Sequence, residues 1–103
     1  MTLTRRQRME QMLEKDPADP FLLYGVALEC VREGEVAAGL ERLRALAASH
    51  PDYDATFFQL GQILAQEGEP EEARAWLEKG VAAAGRNGNA KAVREMSEFM
   101  DTL

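Results

Sequence analysis

Cysteine is nearly missing from this chain. Cys30 stands alone among 103 residues, so no intramolecular disulfide can form. Histidine is as scarce: with His50 as the single one, a histidine-rich metal site is excluded, and one His with one Cys makes a poor zinc site. Positive charge is short as well. Twelve Lys and Arg against 18 Asp and Glu leave a net charge of −6, which argues against general nucleic-acid binding, because displacing counterions from phosphates needs a net positive face. No apolar run approaches the roughly 18 residues of a membrane span. Arg5, Arg6 and Arg8 form the one basic cluster, and no apolar stretch follows them as in a secretory signal. No segment shows the alternation of a half-buried strand. The expectations are a cytoplasmic all-α protein, without cofactor or metal and without nucleic-acid or membrane partners.

What the chain has instead is a repeat. Ala27 and Gly61 lie 34 residues apart, and so do Gly34 and Gly68, Gly39 and Ala73, and Leu43 and Leu77. A unit of this length, with small residues at fixed places, suits a helix pair that stacks on copies of itself. Pro17 and Pro51 keep the same spacing, and Met9 and Met12 fall in register with Leu43 and Leu46, which makes residues 1–17 a leading half-repeat with Met9 and Met12 expected in core positions. At the other end a step of 34 would put Arg94 and Glu95 in the core. A step of 36 instead aligns Leu23, Phe57 and Val93, and likewise Ala27, Gly61 and Ser97. A two-residue insertion is therefore expected in the Gly85–Asn89 loop. The single domain then reads as residues 1–17, repeats over 20–53 and 54–87, and a capping helix within 88–103.

Punctuation residues give the helix limits. Thr4 with Gln7 fits a capping box. Asp19-Pro20 fits an N-cap followed by proline in the first turn, and Glu69-Pro70 a poorer version of it. Asp52 or Asp54 is expected to be an ordinary N-cap. Gly34, Gly68 and Gly85 suit left-handed C-caps. The spacing predicts helices over about 4–15, 20–33, 36–49, 54–67, 70–84 and 90–101.

The segment Phe57-Phe58-Gln59-Leu60-Gly61, followed by Leu64, Gly68, Ala73, Leu77 and Gly80, resembles the tetratricopeptide repeat. The first copy departs from it with Leu23 in the aromatic place, Ala27 for Gly and Gly39 for Ala, changes that keep volume small where helices cross. The resemblance implies a right-handed α-solenoid of antiparallel helix pairs, no enzyme activity, and a concave face that binds peptide segments. On this basis the chain is expected to act as a protein-interaction adaptor or scaffold.

In the family that face is built from the first helix of each pair. It maps here to Phe21, Tyr24, Gly25, Leu28, Val31 and Arg32, then to Ala55, Phe58, Gln59, Gln62, Ala65 and Gln66. The capping helix adds Lys91, Arg94, Glu95 and Glu98. Tyr24, Leu28, Phe58, Gln59, Gln62, Gln66 and Arg94 are the expected partner-binding residues. Aromatic side chains anchor a partner at modest entropy cost, and glutamines both donate to and accept from an extended backbone. Members of the family that hold chaperone C-termini use Lys, Asn and Arg where this chain has Tyr24, Leu28, Ala55 and Gln59, so that clamp is not expected. The alternative is self-association, a homodimer through the 4–15 helix with Met9, Met12 and Phe21 in the interface.

The remaining features read as structure. His50-Pro51-Asp52 matches the tripeptide of J-domains, but the preceding helix lacks a lysine-rich face. Cys30 falls in a core register, as a buried thiol. Glu69, Glu71 and Glu72 suit a helix start by charge. Trp76, one residue before the core Leu77, is expected on the outer side of the stack. No catalytic residues are expected.

Overall fold

In the computed structural model, which describes residues 2–103, the start signals act almost as read. Thr4 accepts from the Gln7 amide while the Gln7 side chain accepts from the Thr4 amide, which closes the capping box of α1 (Arg5–Lys15). Asp19 accepts from Phe21 and Leu22 at the start of α2 (Pro20–Arg32). The other helices are α3 (Val36–Ser49), α4 (Ala55–Gln66), α5 (Pro70–Arg86) and α6 (Ala90–Met100). No strand occurs among the described residues. The structure is all-α, and no described helix is long and apolar enough to cross a membrane.

The contacts divide the chain into two compact units, one ending at Ser49 and one running from His50 to Leu103. In the first, α2 packs on α1 and on α3; in the second, α5 packs on α4 and on α6. The first unit buries Val26, Ala27 and Cys30 against Leu40, Leu43 and Leu46. The second buries Phe57, Leu60 and Leu64 with Ala73, Leu77 and Met96. Met96 is buried while Arg94 is exposed, as the step of 36 requires and a step of 34 forbids.

Small residues let the helices close. A Cβ placed on Gly61 of α4 would lie 2.5 Å from the Leu77 side chain of α5, so Leu77 occupies the space glycine leaves. On Gly80 it would lie 2.6 Å from Phe57 Cβ and 2.5 Å from Met96 Sδ. Gly39 of α3 plays the same part in the first unit, under Val31 of α2. Val31 therefore belongs to the α2–α3 contact and not to a partner-binding face.

Four other expectations are corrected. Gly85 does not cap: α5 runs through it to Arg86, and Gly88 takes the left-handed conformation, with φ 70°, beside Gly34 at 89° and Gly68 at 79°. The insertion therefore lengthens α5, and the loop shrinks to Asn87-Gly88-Asn89. Asp54 holds the N-cap position of α4 without a capping bond. Its carboxylate accepts instead from the side-chain amides of Asn87 at 3.0 Å and Asn89 at 3.3 Å, tying the α5–α6 turn to the start of α4. Arg86 adds bonds of 3.2–3.3 Å to Asp52, whose carboxylate is thereby a structural partner and no cap. Met12, expected in the core, is 56% exposed, because no described residue covers that side of α1.

Gly85 and Gly88 make the end of α5 testable by urea denaturation. Gly85→Ala, helical with open space around it, should stabilise by about 0.5–1 kcal/mol. Gly88→Ala should destabilise by about 1 kcal/mol or more, since its φ is left-handed. Equal effects at the two positions would contradict this helix end.

Candidate functional site

The expected partner-binding residues lie on α2, α4 and α6, the first helices in the repeat register. In the first unit α1 lies along α2 with no residue fully buried. Polar contacts hold it there. Arg6 Nε donates to Glu10 at 2.8 Å, and its Nη1 donates to Glu33 at 2.9 Å and to Glu35. These carboxylates, Glu33 foremost, push the Arg6 guanidinium further above its ordinary value. Arginine is charged at every working pH, so this staple varies with salt and with the state of the carboxylates.

Between α1 and α2 runs a groove of about 190 Å³. Tyr24 and Leu28 line it, with Met9 on the α1 side and Phe21, 64% exposed, at its edge. Gly25 gives the groove its floor: a Cβ there would lie 2.7 Å from Met9 Sδ. Arg5 and Arg32 close one end, both reaching the Glu29 carboxylate, at 3.4 and 3.5 Å. Two guanidiniums share one carboxylate, so this end carries a local positive excess on an acidic chain. The reading from sequence found Tyr24 and Leu28 but missed Met9, Arg5 and Glu29 as walls. The available signal was Gly25 itself, which stands where the second repeat has Gln59.

The second unit has a recess of similar size, about 200 Å³, between the first turns of α4 and α6. Ala55, Phe58, Ala92 and Met96 give it an apolar floor, and Asp54, Lys91 and Glu95 a charged rim. Phe58 is half-buried, its ring edge-on to Phe99 with centroids 6.1 Å apart. Gln59 and Gln62 are half-buried and Gln66 is exposed; all three lie along α4 outside the recess. Arg94 is exposed on α6 and does not line it. The structure thus joins Tyr24 with Leu28, and Phe58 with the α6 turn, but it leaves the glutamines and Arg94 on solvent-facing surface. Across α5, Trp76 stacks obliquely on Phe57 at 6.1 Å, donates to Glu72, and lies under Lys79, so it covers the core from outside.

Among the described residues no cluster of His, Cys, Asp or Glu could hold a metal. Cys30 is buried. The arrangement offers shallow apolar depressions beside charges, the chemistry of recognition.

The sequence profile described as tetratricopeptide repeat matches residues 31–96. The chain belongs to the tetratricopeptide-repeat family. A TPR repeat-containing protein of Pseudomonas aeruginosa is 28% identical over 95 residues, covering 92% of this chain and 90% of that protein. The solution structure of a Bordetella parapertussis protein aligns with a TM-score of 0.81 at 27% identity, over 98% of this chain and 88% of its own. The crystal structure of a tetratricopeptide repeat domain protein from Salinibacter ruber gives 0.76 at 24% identity, over 82% and 93%, a likeness of fold. Tetratricopeptide repeats generally mediate protein–protein interaction and are typically non-enzymatic.

The Arg6 staple is open to a direct check. Arg6→Gln should speed amide hydrogen exchange along α1 and leave α4–α6 unchanged, and added salt should do the same to the wild type in part. Unchanged α1 protection in the variant would show that apolar contacts alone hold this helix.

Proposed function

We propose that this tetratricopeptide-repeat protein is an adaptor that binds a peptide or extended segment of a larger protein on its first-helix surfaces. The groove along Tyr24, Leu28 and Met9 carries the reading. Its 190 Å³ falls below the roughly 300–1,000 Å³ of small-molecule pockets and suits one large apolar side chain. Partly exposed aromatics beside charged rims are the usual anchors of protein interfaces. Gln59 and Gln62 on α4 are placed to exchange hydrogen bonds with a bound backbone. Arg94 and the Arg5–Arg32 pair favour acidic positions in the partner. This role fits a cytoplasmic protein acting without cofactor.

Tyr24→Ala combined with Phe58→Ala tests the assignment by affinity capture and isothermal titration with the captured partner. The variant should keep its helical circular dichroism and lose at least about tenfold in affinity. Gln62→Ala, which removes no ring contact, should weaken the same partner by a smaller factor. Full retention of binding in a folded double variant would remove the partner from these surfaces.

A further inference from the structure

The repeat register carries an inference that goes beyond this adaptor reading. Within each unit, specific pairs of residues bring a first helix against its neighbours. Gly61 of α4 receives Leu77 of α5, and Gly80 of α5 receives Phe57 of α4. Val31 of α2 covers Gly39 of α3. Phe58 of α4 meets Phe99 of α6. By the same register, α1 is a second helix and α6 a first helix. Met9, Met12 and Arg5 of α1 stand where Leu77, Gly80 and Gly39 stand. Ser97, Val93 and Arg94 of α6 stand where Gly61, Phe57 and Phe58 stand, the residue after α6, Asp101, stands where Val31 stands, and Glu29 of α2 stands where Phe99 stands.

Laying an α6 upon an α1 therefore creates four new pairs, and each is complementary. Met9 meets the small Ser97, as Leu77 meets Gly61. Met12 meets Val93: the larger side chain now comes from the second helix and the smaller from the first, the reverse of Gly80 and Phe57. The other two pairs are apolar within the chain and become ionic at the joint. Arg5 faces Asp101, and Glu29 faces Arg94. In both pairs the charges are opposite in sign. Met12, 56% exposed, and Ser97, Val93 and Met100, each half-buried, are the surfaces such a contact would cover.

We propose that a second copy of this chain covers α1, its α6 completing a helix pair with α1 so that copies associate head to tail. The partner face is α6, so the contact is heterologous and differs from a two-fold pairing of α1 with α1. Arg5 leaves its shared hold on Glu29, where Arg32 remains, and takes Asp101 of the next copy. One helix laid on another is a small contact, in the class of weak, concentration-dependent interfaces.

Two measurements test it on the full chain. Met12→Cys and Val93→Cys variants are mixed with oxidised glutathione, which takes up the electrons as the disulfide forms; Cys30 is buried and silent. The mixture should give a cross-linked pair, and neither variant alone should. Sedimentation velocity over a range of concentrations should show wild-type self-association. Arg5→Asp and Asp101→Arg should each weaken it about tenfold, and both changes in one chain should restore it. Arg5 is 64% exposed at its side chain and Asp101 is exposed, so both variants should keep their fold, which circular dichroism checks. A wild type that stays monomeric, self-linking of Met12→Cys alone, or association indifferent to Asp101→Arg would each overturn the proposal.

Discussion

Helices in this protein can approach one another only where one of them gives up its side chain. Leu77 fills the space above Gly61, Phe57 and Met96 fill the space above Gly80, and Val31 covers Gly39. Each contact is one large apolar group set into one gap, and dense packing makes both halves necessary: a side chain in the gap overlaps, and a truncated knob leaves a void. Caps and turns place the helices for these contacts but do not replace them. The exposed faces follow from the same constraint. Once each first helix has turned its small residue toward the second helix, Tyr24, Phe58 and the α4 glutamines are left on other sides, partly open to solvent.

Most of the fold was legible because punctuation and spacing act locally. The Thr4–Gln7 box and the Asp19-Pro20 start appear as read, because capping geometry depends on residues within one turn. The step of 36 to the last helix was legible in the apolar pattern, and Met96 shows it in the core. Where tertiary context decides, local reading failed. Gly85 and Gly88 are both able to end a helix, and Asn87 and Asn89 tip the choice by bonding Asp54 from a turn that begins after Arg86. The same bonds take Asp54 away from its expected capping role. Val31 lies on a helix side that a face projection assigns outward, yet the absent side chain of Gly39 draws the helices together beneath it. Met12 has a core register without a helix over it.

The candidate site was legible in part, and for a related reason. A repeat register identifies which side of a helix faces outward, so Tyr24 and Leu28 were found. Depth is a property of two helices. The groove in the first unit exists because α1 is held alongside α2 by Arg6 and its three carboxylates while Gly25 leaves room beneath Met9. Arg6 lies between 27 and 29 residues from Glu33 and Glu35 in the chain, a separation no motif reports. Exposed ion pairs thus supplement the packing of Met9 over Gly25 at α1, the helix with no fully buried residue.

A double-mutant cycle across Gly61 and Leu77, followed by urea denaturation, tests the packing rule most directly. Gly61→Ala alone should destabilise, because its Cβ meets Leu77 at 2.5 Å. Leu77→Ala alone should cost about 2–5 kcal/mol. Together the two changes should cost clearly less than their sum, with a coupling of about 1 kcal/mol or more, since the new methyl enters the space the leucine leaves. Strict additivity would contradict the rule and mean that these helices are held at their distance by something other than the side chain set into the glycine gap.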